Sequence, residues 1–225
     1  MNSHMRSSFL RCLCTVAVLS SSALARSPEP HKIKLALERL QNGAWSAVEP
    51  GLVLNHGDRV RFKVQTNFPG YLYVVNYGTS GNYSVLLPSK EAGGENKLVA
   101  GQSRQVPSGD FIFRISGPAG QDIVYWIVSP VVLPGYGANP LPEKPKRPAV
   151  LLPRCDDTLL RARGECIDSS AGTRDLDGDI QVPGAPDSLE KPPDLTFLRE
   201  DKDTIVATSG SSQGPMVYEF RIAHK

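Results

Sequence analysis

Gly210-Ser211-Ser212-Gln213-Gly214 spells the G-x-S-x-G word of serine hydrolases. That word works when a sharp strand-to-helix turn exposes the serine hydroxyl. Here it lies between two segments of β character, residues 204–208 and 216–223, and no helical pattern follows it. A Gly/Ser turn accounts for it. A hydrolytic serine also needs a base. Beyond residue 25 the histidines are His31, His56 and His224. His56 sits in the turn composition Asn55-His56-Gly57-Asp58, the other two lie near the ends, and all three are expected at the surface.

Asp175-Leu176-Asp177-Gly178-Asp179 is the sharpest polar cluster. Calcium takes several oxygens from a short loop, and alternating acids around a glycine supply them. The EF-hand pattern fails, because the glycine comes early and Pro186 stands where the bidentate glutamate belongs. A solvated turn is the plainer reading. No cofactor is expected, and calcium at Asp175, Asp177 and Asp179 is the one metal alternative. Most aromatic residues fall within expected strands, where core packing is their ordinary use; Tyr136, in a Pro-Gly-Tyr-Gly loop, is the exception. Asn82-Tyr83-Ser84 matches a glycosylation acceptor by accident of composition.

The N-terminus sets the compartment. Arg6 and Arg11 form a basic start, residues 12–19 an apolar core, and Ala23-Leu24-Ala25 the small-x-small pattern of a cleavage site between Ala25 and Arg26. The apolar core falls short of the roughly 20 residues that a spanning helix needs, and no later stretch is longer. Residues 1–25 are therefore read as a signal peptide, and the mature chain as periplasmic or secreted. Neither Cys12 nor Cys14 follows the small residue that a lipoprotein site requires. Removing the signal takes away two basic residues and no acid, leaving acidic and basic side chains equal in number. A neutral chain lacks the electrostatic footprint of a nucleic-acid binder. Cys155 and Cys166 then remain as an even pair, most simply a disulfide in an oxidising compartment.

From Lys32 to Pro134 the chain reads as short strands separated by turn chemistry. Asn42-Gly43 is a strong hairpin signal. In the stretch 59–64, Val60, Phe62 and Val64 face one way while Arg59, Arg61 and Lys63 face the other, so one side meets the core. Phe111–Ile115 alternates similarly. Residues 71–75 and 123–128 are apolar on both faces and are expected to run centrally. The fold class is all-β: an antiparallel, immunoglobulin-like β-sandwich with a core at 31–135. Residues 136–195 form a Pro-rich, acidic, mostly irregular insertion, with one short helix at 156–163. The stretch 154–203 holds thirteen acids against seven basic residues and is expected to be solvated. Residues 196–225 are read as a hairpin that docks back on the sandwich, because an isolated hairpin is marginal in water.

A series of motifs runs through the core: Gly57-Asp58, Gly70-Tyr71-Leu72-Tyr73-Val74-Val75-Asn76, Leu86-Leu87-Pro88, Asn96, Gly101, Val106-Pro107, Phe113 and Gly117-Pro118-Ala119-Gly120. In order and spacing it resembles the bacterial domain-of-unknown-function family 4384 over roughly residues 50–130. The resemblance implies an exported β-sandwich and brings no agreed activity and no catalytic residues. The motif positions read physically as turns and strand ends. The expected function is that of a non-enzymatic interaction module contacting an envelope protein or a surface polymer, not nucleic acid. A Ser212 hydrolase and a calcium-dependent binder are the alternatives.

Overall fold

Strict alternation of β-branched and aromatic residues with cations makes residues 59–66 a strand with one dry face, and the neighbouring segments follow the same logic. The computed structural model describes residues 29–90, 94–134, 151–156, 165–176, 193–210 and 214–225. They form thirteen strands: β1 (Lys32–Gln41), β2 (Ala44–Val48), β3 (Arg59–Thr66), β4 (Gly70–Tyr77), β5 (Tyr83–Leu87), β6 (Lys97–Leu98), β7 (Ser103–Val106), β8 (Phe113–Arg114), β9 (Gly120–Ser129), β10 (Gly172–Arg174), β11 (Leu195–Glu200), β12 (Asp203–Thr208) and β13 (Met216–His224). The first sheet runs β11-β12-β1-β3-β7, with β2 on β1 and β8 on β3. The second runs β10-β13-β9-β4-β5, with β6 on β4. All the strand pairings are antiparallel.

The two sheets share one core. Ile33, Leu35, Val60, Phe62 and Val64 of the first pack against Leu72, Val74, Trp126, Val128, Tyr218 and Phe220 of the second. Phe62 meets both Trp126 and Phe220 edge-on, with ring centroids 4.9 and 5.2 Å apart. Such aromatic contacts add to the area they bury.

The turn at Asn42-Gly43 joins β1 to β2 as expected, with both residues at positive φ (50° and 80°). This is the backbone that matches the twist of a two-residue hairpin. Gly70 opens β4 where a Cβ would stand 2.8 Å from the Ser129 carbonyl oxygen, so only glycine lets β4 and β9 close up there. Pro88 and Pro107 directly follow β5 and β7, as edge and end positions require.

The all-β class and the two antiparallel sheets are as expected; this strand order does not establish the immunoglobulin-like pattern. No helix occurs among the described residues. Of the helix expected at 156–163 only Asp156 is described, in irregular backbone; the rest lies outside the described residues. The expected pairing of 204–208 with 216–223 does not occur, and β12 instead forms a hairpin with β11. β12 pairs with β1 and β11, while β13 pairs with β9 and β10, so the chain crosses from one sheet to the other between them. The insertion is not simply solvated: β10 extends the second sheet, and the disulfide Cys155–Cys166 ties residues 151–156 to residues 165–171.

Candidate functional site

The two sheets treat their outer faces differently. On the second sheet Tyr73, Val75, Tyr77, Ile123, Tyr125, Ile127 and Val217 point away from the shared core, yet all are buried in a second apolar cluster with Leu133. The Leu133 amide donates to the Tyr73 hydroxyl at 2.7 Å. β13 is buried along all nine residues. Glu219 and Arg221, which alternation alone would place in water, are 2% and 3% exposed. The Arg221 Nε donates to the Glu219 carboxylate at 2.6 Å, and the Arg174 Nε lies 3.5 Å from it. Charges buried on a sheet face persist only when paired in this way.

Beside this cluster, Asp168 is fully buried. Its carboxylate accepts hydrogen bonds from the amides of Arg154 (3.0 Å) and Ser170 (2.9 Å), the Ser170 hydroxyl (2.6 Å) and the Gln121 side-chain amide (2.9 Å). Burial works against the charged form, but the donors outweigh it and hold the carboxyl below its ordinary value. Cys166, one of the disulfide partners, packs with Val53 and Ala223 at the same end. This polar cluster is a fastening between the insertion and the sheet, and every described acid in it is consumed by structure.

The outer face of the first sheet is open. Arg59 and Lys63 of β3 and Arg114 of β8 are exposed, and Arg61 lies between the first two. Arg61 donates to Glu38 at 2.6 Å and stacks on the Trp45 ring at 4.3 Å. Lys34 contacts Asp203 (2.8 Å) and Glu200 (3.4 Å). Hydrogen bonding and charge from Asp203, with a smaller part from Glu200, raise its pKa. The face runs into a shallow depression lined by Lys63, Glu95, Ser103, Arg104, Gln105 and Ser108. There Arg104 donates to the Lys97 carbonyl at 3.1 Å, while its buried Nε has no partner. Burial lowers the Arg104 pKa and Glu95 offsets part of that. Chemically this surface can hold anions and hydrogen-bond acceptors.

The sequence-derived site residues are scattered. Ser212 lies outside the described residues, and its flanks continue into β12 of one sheet and β13 of the other. His224 is at the far end of β13, about 26 Å along the strand from Met216. It is not at the surface as expected: it is 1% exposed, with Nε2 at 3.4 Å from Asp122. Strand pairing with Gly120 draws it under the end of the sandwich. His56 is exposed, and its amide donates to the Lys225 carbonyl at that same end. His31 is near Thr208, but its ring stacks on Phe68 at 4.1 Å. Burial lowers its pKa, and among the described residues it forms no ion pair. His56 and His224 thus share one end of the sandwich, and His31 stands apart from them.

Asp175 is exposed and accepts from the Leu176 amide at 2.9 Å; Asp177 and Asp179 lie outside the described residues, as do Tyr136, Ala25 and Arg26. Among the described residues no group of three metal-ligating side chains gathers, and no helix is long and apolar enough to cross a membrane. The open cationic face was half visible in the alternation of β3. Its other half, Arg114, comes from a register that no local pattern encodes.

The family model described as Domain of unknown function (DUF4384) matches residues 53–131. The match covers about a third of the chain. No curated protein and no solved structure matches the chain. The DUF4384 stretch spans β3 to β9 and thus contains Arg59, Arg61, Lys63 and Arg114, while Glu38 and Trp45 lie before it. It does not build the sandwich alone: β1 separates β3 from β12, and β13 flanks β9.

Proposed function

We propose that this protein is an exported, non-enzymatic interaction module of the bacterial envelope that contacts its partner through the outer face of the first sheet. One observation carries the reading: of two sheets in one sandwich, the second has its outer face buried in apolar side chains, while the first leaves a cationic, hydrogen-bonding surface in water. The basic start, apolar core and Ala-Leu-Ala end of residues 1–25 support export, and the Cys155–Cys166 disulfide is compatible with an oxidising compartment.

A photocrosslinking residue at position 63 of the full chain, expressed in a bacterial envelope, tests the reading. The expected result is a discrete adduct from position 63, with none from the same residue placed at position 80 in the turn before β5. An absence of adducts at both positions would overturn it. A fluorophosphonate probe tests the enzymatic alternative, because only an activated serine reacts. The expected result is no labelling; labelling abolished by Ser212→Ala would replace this reading with a hydrolase.

A further inference from the structure

The open face has a second property beyond exposure. Arg59 and Arg114 stand directly opposite each other on β3 and β8. Side chains so placed have Cβ atoms about 5 Å apart, and like charges there are destabilising. The same face shows how such a problem is ordinarily solved: Arg61 is neutralised by Glu38, and Lys34 by Asp203 and Glu200. Among the described residues none of Arg59, Lys63 and Arg114 forms an ion pair. An acid at either member of the opposed pair would have gained stability, so the repulsion marks a place where anions arrive from outside.

The shape of the face selects among anions. Alternate residues on a strand repeat every ~6.8 Å, which sets Arg59 and Lys63 about 14 Å apart along β3. The main-chain groups of β3 are engaged with β1 on one side and with β7 and β8 on the other. An extended peptide is captured at a sheet edge, by main-chain hydrogen bonds; in this sheet that edge is β7, and the opposed arginines lie inside it on β3 and β8. What the face offers is spaced cations, the amide of Gln105 opposite Lys63, the hydroxyl of Ser103 one step further along, and the Trp45 indole beside Arg61. That combination fits a chain carrying acid groups at intervals and hydroxyls between them.

We propose that the outer face of the first sheet binds an anionic polysaccharide, with Arg59, Arg114 and Lys63 pairing its acid groups. This rests on the interaction-module reading and names the class of its partner. The full chain is applied to immobilised polygalacturonate, with immobilised dextran as the neutral control and soluble polyglutamate as a competitor. Retention on polygalacturonate and not on dextran is expected, and polyglutamate should compete less well than soluble polygalacturonate at equal charge. The Arg59→Gln/Arg114→Gln variant should bind about tenfold more weakly or worse, with its melting temperature equal to or above that of the parent. Lys63→Gln should weaken binding less.

Unchanged retention of the double variant would overturn the proposal. So would weakened retention accompanied by a lowered melting temperature in the double variant and in Lys63→Gln alike, which would make the residues structural. Polyglutamate competing as well as polygalacturonate would reassign the face to an acidic protein. Crosslinks from position 63 without polysaccharide retention would remove this inference and leave the module reading intact; loss of both would remove both.

Discussion

The outer faces of the two sheets are built from the same kind of strand and end in opposite conditions. β4 and β9 carry aromatic and β-branched residues on both sides, and both sides are dry. β3 alternates them with cations, and only its inner side is dry. Backbone geometry does not make this difference, since both sheets are antiparallel and similarly wide. Composition at alternate positions does. A sheet that must be covered on both faces has to give up polar residues, and the Glu219–Arg221 pair shows the condition on which it keeps any. The first sheet keeps Arg59, Lys63 and Arg114 exposed and, among the described residues, without an ion-pair partner.

The contrast is easiest to break with a charge. Ile127 on the outer side of β9 is 3% exposed, so Ile127→Asp puts a carboxylate where no water or partner awaits it. A loss of about 4 kcal/mol in urea unfolding is expected. Lys63→Gln, on the outer side of β3, should stay within about 0.5 kcal/mol of the parent. If the two variants unfold at similar urea concentrations, the two faces are equivalent and the comparison fails.

Asp168 tests how the insertion is fastened to the covered sheet. One carboxylate oxygen accepts from the Ser170 amide and hydroxyl, the other from the Arg154 amide and the Gln121 side chain. Asp168→Asn replaces one acceptor with a donor facing donors, and a loss of about 2 kcal/mol at neutral pH is expected. The sign of the pH dependence follows from the carboxyl being held below its ordinary value. Its contribution is fully present above the usual carboxylate range, about pH 4, and is lost as pH falls through the lower folded value. The gap between parent and variant should therefore shrink in acid. A gap that is constant down to pH 2 would show that the charge of Asp168 does not hold the insertion.

Much of this architecture was legible in local pattern. Period-two alternation found β3, and two-sided apolar runs found β4 and β9 and placed them centrally, because a residue's neighbours in sequence report directly on the two faces of a strand. Some missed strands have partners that lie far away, while β11 was missed beside its partner β12. β10 is three residues of Gly-Thr-Arg and exists because β13 offers it an edge. β12 and β13 looked like a hairpin because a Gly/Ser turn separates them, and nothing local says that one joins β1 and the other β9. The same limit applies to the candidate site. The outward cations of β3 could be read directly, but Arg59 opposite Arg114 depends on pairing between strands more than fifty residues apart in sequence. His224 failed for a related reason: nearness to a chain end says nothing about burial when the last strand pairs along its whole length.

The smallest effect sharpens the comparison most, because its sign is unusual. Substitutions in a folded protein generally destabilise or do nothing. Arg114→Gln removes one member of a like-charged opposed pair and leaves an exposed side chain of similar length and good solubility, with no described partner orphaned. The pairing of β8 with β3 is otherwise untouched, since Val60 and Phe113 keep their register on the inner side. A gain of about 0.5 kcal/mol is expected, read as a rise in the urea midpoint at low ionic strength. Salt should erase it, because exposed charges are screened over about 10 Å at 0.1 M. A gain that salt does not reduce would mean that the effect is conformational and not electrostatic. A loss would mean that Arg114 stabilises the sheet, and the opposed arginines would then belong to the scaffold along with the covered face.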